Sequence, residues 1–239
     1  MAVSSLRRFW SLSLGSGFAH MGAMSNETRP LTQTPWEEID KRVRRVDEDR
    51  WISSRFAPAT ERRALIALYA LAYELVRVRE AVSEETLGLI RFQWWREAIQ
   101  EIADGKPPRG HDVCLALAEE IAAGRLKPGA LQKLVDGYQT AFLENDRARE
   151  PEGWLGLTAA NILIPAHNWA GDLQAVAAAY AAARRHASKA FGPIVSPAPK
   201  QLRPAIAHYR LRKLYCEGKK PNPFTKRFSI MKAINTGEV

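Results

Sequence analysis

Apolar residues between Arg62 and Val82 recur every three or four positions, and this spacing constrains the fold more than any other feature of the chain. The recurring residues are Leu65, Leu68, Tyr69, Ala72, Leu75 and Val76. Side chains with this spacing line one face of an α-helix, whereas a half-buried strand alternates apolar and polar residues. No strand-like alternation competes with the helical pattern elsewhere in the sequence. The pattern predicts an all-α protein, a bundle in which short loops join mostly antiparallel helices.

Start and stop signals predict further helices around this one. Residues 34–37 resemble a capping box with proline at the first helical position, and predict a helix that ends near residue 47. Ser83 is predicted to cap a helix with an apolar face made of Leu87, Ile90, Trp94, Ala98 and Ile102. Further helices are predicted over residues 112–123, 129–144, 174–191 and 201–216. We find no internal repeat and predict no second domain in the body of the chain.

The start of the chain has the composition of a targeting segment. Residues 1–26 contain no acidic residue, but they contain Arg7, Arg8 and several serines among apolar residues. This composition is typical of a mitochondrial transit peptide, and an upstream extension without a role is the alternative. We expect residues 1–30 to be a transit-like or disordered extension, residues 31–199 to be the helical domain, and residues 200–239 to be a basic C-terminal helix and tail.

Most of the net charge of +9 lies at the C-terminal end. From Lys200 onward the chain has ten basic residues and two acidic ones. A basic end of this kind suits an anionic membrane, nucleic acid or an acidic protein, and a solubilising tail is the alternative. The predicted membrane or partner surface consists of Arg210, Arg212, Lys213, Lys219, Lys220, Lys226 and Arg227.

Several classes of protein are disfavoured by composition. Two cysteines cannot make a disulfide framework, and the five histidines are scattered, so we expect no structural or histidine-based metal site. His186 and His208 are predicted to lie on the surface among basic residues. No run of 18 apolar residues occurs, so no membrane-spanning helix is expected.

The most informative segment runs from Asp49 to Ile102. Its motifs are Phe56-Ala57-Pro58, Arg62-Arg63, Leu68-Tyr69-Ala70-Leu71 and Arg91-Phe92-Gln93-Trp94-Trp95-Arg96. The segment resembles the N-terminal part of the squalene/phytoene synthase family, which joins prenyl diphosphates head to head. The resemblance implies an isoprenoid-synthase-like helical bundle, truncated in its C-terminal part because the region after Phe191 is short.

The resemblance also implies where metal ligands would lie. Family enzymes use two aspartate-rich motifs to hold Mg²⁺, which binds the diphosphate leaving group. Aligned on Tyr69-Ala70-Leu71, the motif positions in this chain are Val76, Arg77, Glu80, Ile164, Pro165 and Trp169. Glu80 alone carries a carboxylate there. We therefore expect no catalytic residue and no metal, with Mg²⁺ bound only if unconventional ligands such as Asp146 and Glu150 replace the motif.

A divergent branch of the family, whose members also lack the aspartate pattern, resembles this chain at Glu74-Leu75, the basic residues through Arg79, Val82-Ser83-Glu84 and the run from Gly88 to Trp94. That branch includes a mitochondrial assembly factor for NADH dehydrogenase (complex I) and alphaproteobacterial relatives. The resemblance implies a non-catalytic scaffold in the mitochondrial matrix, peripheral to the inner membrane, with complex I subunits or other assembly factors as partners. If the source is bacterial, the expected location is the cytoplasm.

Two other functions remain open from the sequence. One is an active prenyl synthase with atypical ligands, and the other is a basic-tailed RNA- or ribosome-binding protein, although no RNA-binding motif is present and nucleic acid is the less favoured partner. Arg77 is expected either to pair with Glu80 or to contact a phosphate. Tyr69, Tyr73 and Trp95 are further candidates for phosphate or cavity contacts, Trp95 otherwise belonging to the core, and a prenyl lipid remains an alternative ligand.

Overall fold

The computed structural model describes residues 34–82, 84–145, 151–185 and 191–239. Within these ranges the regular structure is helical, and no strand occurs, so the predicted all-α class is confirmed. The α-helices are α1 (Trp36–Val46), α2 (Glu48–Ser54), α3 (Ala59–Ala81), α4 (Glu85–Ala103), α5 (Asp112–Ala122), α6 (Pro128–Leu143), α7 (Glu152–Leu163), α8 (Ala170–Arg184), α9 (Arg203–Ile206), α10 (Arg212–Cys216) and α11 (Pro223–Thr236). Two 3₁₀ segments cover Lys200–Leu202 and Ala207–Leu211.

Helix α3 is the centre of the bundle. Residues 64–72 are all buried, and α1, α2, α4, α5, α6 and α7 pack around them. A helix that is apolar on every side requires such an enclosure, whereas a surface helix needs only one apolar stripe. The sequence predicted this helix and one of its buried faces correctly, and the surrounding helices cover its other faces.

The predicted capping box at the start of α1 does not form. The helix begins at Trp36, and its N-cap residue Pro35 provides no side-chain hydrogen bond. The hydroxyl of Thr34 donates instead to the carboxylate of Glu119 on α5, which also accepts a 2.9 Å hydrogen bond from the Trp36 indole. The Thr34 hydroxyl, which was expected to cap α1, is therefore hydrogen-bonded to a residue of another helix. The other predicted cap, Ser83, lies outside the described residues.

The buried face of α4 differs from the predicted one. Leu87 and Ile90 are about half exposed, while Phe92, Trp95 and Ile99 are buried. The reason is the close approach of α6, because a Cβ atom at Gly88 would overlap the ring of Phe142. The helix thus turns its glycine side toward α6, and the Phe92 and Phe142 rings lie 5.7 Å apart. Ala98 and Ile102 are buried, as predicted.

Residues 200–239 belong to the same folded unit as residues 34–199. The single helix predicted for 201–216 is replaced by short α and 3₁₀ segments, and its residues 204–209 are buried. The segment Ala207–Leu211 packs against α11, a helix that the sequence did not predict. Helix α7 was likewise not predicted, and α8 begins four residues earlier than expected. No helix in the described ranges is both long and apolar enough to cross a membrane.

Candidate functional site

The first degenerate motif lies on the last turns of α3. Val76 packs against the core, Arg77 is partly buried and Glu80 is exposed. The guanidinium of Arg77 lies 3.8 Å from the Glu74 carboxylate and over the ring of Tyr73. The ion pair expected between Arg77 and Glu80 is therefore replaced by one with Glu74, which lies one turn earlier and is almost fully buried.

The second degenerate motif lies beyond the end of a helix. Helix α7 ends at Leu163, and Ile164 has an extended backbone. Ile164 packs against the core, Trp169 is buried, and Pro165 is exposed. Apolar side chains in a connecting segment do not fit Mg²⁺, which prefers oxygen ligands in a near-octahedral arrangement.

The remaining carboxylate, Glu80, lines an open pocket of about 640 Å³. Arg79, Glu85, Phe142 and Asn145 line the same pocket. Across the described ranges, no group of three His, Cys, Asp or Glu side chains comes together to hold a metal ion. Asp146 and Glu150, the alternative ligands, lie outside the described residues.

Two of the other cavity candidates, Tyr69 and Trp95, are core residues. Tyr69 is buried, and its hydroxyl lies 3.5 Å from the carbonyl oxygen of Ala205. Trp95 is also buried, with its ring 4.9 Å from that of Trp94 and 5.2 Å from that of His111. The structure thus supports the core alternative for Trp95, and it does not bring Trp95 together with Tyr69 at a shared cavity.

A buried ionic network occupies the region where α2, α7, α8, α10 and α11 meet. It consists of the carboxylates Asp47, Asp49 and Glu152 and the cations Arg50, Arg184 and Lys226. Arg50 bridges Asp47 and Glu152, and Arg184 lies 3.2 Å from Asp47. Lys226, from the first turn of α11, lies 2.9 Å from Asp49. The network joins segments that are far apart in the sequence.

Three tyrosines complete the network. The hydroxyls of Tyr180 and Tyr215 both donate to Asp49, at 2.9 and 2.5 Å. The hydroxyl of Tyr209 donates to Glu152 at 3.3 Å. Buried carboxylates need such partners because leaving their charge without hydrogen bonds is costly.

Burial and neighbouring charges act on the pKa values of two members of the network. Burial by itself raises the pKa of Asp47, but the positive charges of Arg184 and Arg50 outweigh it and hold that pKa well below the usual range. Burial also raises the pKa of Tyr180, so its phenol stays protonated. Asp47 is therefore charged and Tyr180 is neutral near pH 7.

His208 lies beside this network and not on the surface, contrary to the prediction. It is 1% exposed, and its ring is 4.2 Å from that of Tyr209 and 5.1 Å from that of Tyr180. Burial, with a further contribution from Arg50, holds the pKa of His208 well below its usual value. The histidine is accordingly neutral in the folded protein. His186 lies outside the described residues.

Three of the predicted surface cations are instead structural. Arg212 is buried and donates to the carbonyl oxygens of Phe191, Tyr209 and Pro193. Arg210 lies 3.0 Å from the carboxylate of Glu238, and Lys226 belongs to the ionic network. The other four, Lys213, Lys219, Lys220 and Arg227, are exposed.

The ionic network was not predicted from the sequence. The only local signal was the charged run that includes Asp47, Asp49 and Arg50, placed directly before an apolar segment. A charged run at a helix start is usually solvated, and nothing local shows that Glu152 and Arg184 approach it.

Part of the chain matches a known protein family. Residues 43–152, slightly less than half of the chain, match the family described as squalene/phytoene synthase. The resemblance to that family is therefore confirmed over this segment. No solved structure gives a significant match.

Among curated proteins, the chain is similar to complex I assembly factors. The human protein named NADH dehydrogenase (ubiquinone) complex I, assembly factor 6, is 33% identical over 94 residues, which are 39% of this chain and 28% of that protein. The proteins of the same name from Bos taurus and Rattus norvegicus are 31% and 32% identical over the same lengths. The match thus spans less than a third of each relative.

Proposed function

We propose that this protein is a non-catalytic assembly factor for respiratory complex I. The observation that carries the proposal is the state of the two motif regions in a squalene/phytoene-synthase-like chain, where Trp169 is a core residue and Val76 and Ile164 pack against the core. Its curated relatives are named as assembly factors of complex I. A scaffold can keep the family's packing without the metal ligands, because packing and catalysis depend on different residues.

The ionic network supports the same proposal. Its carboxylates and cations pair with one another, so they are not free to bind a diphosphate. A balanced network of this kind stabilises one arrangement of helices when every member is satisfied. We propose that the helical body serves as a binding platform for complex I subunits or for other assembly factors.

The proposed location is the mitochondrial matrix, at the surface of the inner membrane. The similarity to complex I assembly factors and the transit-like composition of the first residues support it. Fractionation of tagged full-length protein tests it: carbonate extraction should release the protein from mitochondrial membranes. Recovery in a compartment without complex I contradicts the proposed location.

Gene disruption with complementation tests the proposed role. Loss of the protein should lower assembled complex I on native gels and leave other respiratory complexes unchanged, and the intact gene should restore it. The variant Glu80→Gln, which removes the one motif carboxylate, should restore complex I as well as the wild type does. A general respiratory or translation defect contradicts the proposal and favours the RNA-binding alternative.

A second assay separates the scaffold from the enzyme alternative. Purified full-length protein is incubated with farnesyl or geranylgeranyl diphosphate and Mg²⁺, and diphosphate release is measured. We expect no release above a control without protein. Release that disappears in Glu80→Gln overturns the non-catalytic proposal and identifies a prenyl synthase with atypical ligands.

A further inference from the structure

Helix α11 presents three large apolar side chains to solvent. Phe224 is 80% exposed, Phe228 is 67% exposed and Met231 is 45% exposed. Their spacing of four and three residues places them on one face of the helix. Contiguous exposed apolar side chains of this size are uncommon on soluble proteins and mark a surface that binds something.

The opposite face of α11 holds the helix on the body of the protein. Ile230 and Ala233 are fully buried, and Lys226 pairs with Glu48 and Asp49 of α2. Both ends are also fixed. Asn222 accepts a hydrogen bond from the Thr225 amide, and Gly237 ends the helix with a positive φ of 79°. The apolar ridge is thus held in a defined position.

Positive charge flanks the ridge. Arg227 and Lys232 are exposed on either side of it, and α11 contains no acidic residue. Burial lowers the pKa of Lys213, and the charges of Arg210, Arg212 and Lys232 lower it further, while Glu238 raises it. Lys213 therefore adds positive charge near Lys232, and an anionic surface would relieve the repulsion between the two.

We infer that α11 docks on an anionic lipid surface, with Phe224, Phe228 and Met231 inserted among the acyl chains and the flanking cations facing the headgroups. The shape of the site favours lipid over a protein partner. Two phenylalanines that protrude this far form a ridge and not a groove, and a fluid bilayer accepts a ridge without a matching pocket. The flanking arginine and lysine supply the attraction to anionic headgroups.

This inference deepens the proposed function by naming the surface on which the assembly factor would work, and it rests on that proposal for its biological setting. The physical claim is independent, because it concerns purified protein and vesicles. Failure of the wild-type protein to bind anionic vesicles therefore overturns the docking site, whereas normal complex I after gene disruption overturns the proposed function. The two failures are distinguishable.

Vesicle sedimentation with full-length protein tests the inference. The protein should bind vesicles of phosphatidylcholine mixed with phosphatidylglycerol, bind phosphatidylcholine alone weakly, and dissociate as salt is raised. The double variant Phe224→Ala/Phe228→Ala should bind at least about tenfold more weakly. The matched control Leu87→Ala/Ile90→Ala removes exposed apolar groups from α4 and should bind like the wild type.

A charge variant provides the second arm of the test. Arg227→Gln/Lys232→Gln should weaken binding to the mixed vesicles several-fold. Thermal unfolding should be unchanged in this variant and in the phenylalanine variant, because the four substituted side chains are exposed. Unchanged vesicle binding by the phenylalanine variant overturns the inference. The inference is also overturned if the wild-type protein does not bind vesicles but binds polyglutamate in a manner that depends on the same phenylalanines. The surface would then be a binding site for an acidic protein.

Discussion

Arg50 of α2 and Glu152 at the first turn of α7 form a buried ion pair, although 102 positions separate them in the chain. Arg50 also pairs with Asp47, and Glu152 also accepts a hydrogen bond from Tyr209. The pair therefore connects the N-terminal helices to α7 and to the C-terminal segment. Its charges are shielded from water, so each depends on the other for its stability.

Breaking this pair should strongly destabilise the protein. Glu152→Gln leaves the buried Arg50 with one carboxylate in place of two, and we expect the free energy of unfolding to fall by about 3 kcal/mol. Urea unfolding followed by circular dichroism measures the change. The control Lys41→Gln removes the exposed pair between Lys41 and Glu37, which should not alter stability measurably. Equal midpoints for Glu152→Gln and the wild type would show that the pair contributes nothing.

His208 should make stability depend on pH just below neutrality. Its pKa is lowered in the folded state, so below about pH 6.5 the unfolded chain takes up a proton that the folded protein does not. The contribution of neutral His208 to the free energy of unfolding is therefore fully present above that pH. It is lost as the pH falls, with a slope of up to about 1.4 kcal/mol per pH unit. His208→Phe should reduce the slope.

The measurement compares urea midpoints of the two proteins between pH 7.5 and about pH 5.5, above the range in which Asp47 could contribute. The slopes are compared rather than the absolute stabilities, because phenylalanine also changes the packing near Tyr180 and Tyr209. Identical slopes would mean that His208 is protonated in the folded protein.

Gly156 allows the close approach of α7 to Tyr209. A Cβ atom at this position would overlap the Tyr209 hydroxyl and would lie 2.9 Å from Leu173. Gly156→Ala should displace the phenol from Glu152 and destabilise the protein by about 1–3 kcal/mol. The control Gly171→Ala adds the same methyl group on α8, where no atom lies within 4 Å, and should be neutral or slightly stabilising. Thermal unfolding of the two variants distinguishes crowding from a general effect of alanine.

Arg212 should behave as a core residue. It donates to three backbone carbonyl groups, a geometry that the planar guanidinium can satisfy and a lysine ammonium cannot reproduce. Arg212→Lys should lower the free energy of unfolding by about 2 kcal/mol. Arg227→Lys, an equal change at an exposed position, should have no measurable effect on urea unfolding. An Arg212→Lys variant as stable as the wild type would show that Arg212 contributes no more to stability than an exposed arginine does.

The interior of the bundle could be predicted largely from local patterns. The apolar spacing around α3 predicted a helix with Leu65, Leu68 and Leu75 inside, and all three are buried. The start of α5 and the stop after α4 follow from their turn and breaker residues, which act within a few positions. The family resemblance also depended on a continuous segment and was confirmed over residues 43–152.

The errors arose where burial depends on distant partners. Leu87 and Ile90 are apolar but about half exposed, and the approach of Phe142 to Gly88 places the other side of α4 against α6. Arg212 and His208 belong to a basic C-terminal stretch, so charge alone places them on the surface. They are buried because backbone carbonyls and aromatic rings from other segments surround them.

The sequence by itself determined the helical class and the central helix, and it left Glu80 as the one carboxylate at the six expected motif positions, since each of these depends on residue types within a short window. The tertiary structure alone decided that Asp47, Arg50, Glu152 and Arg184 form one buried network and that Phe224 and Phe228 remain outside. Burial removes a side chain from water only when other segments cover it, and which segments meet is a property of the whole fold.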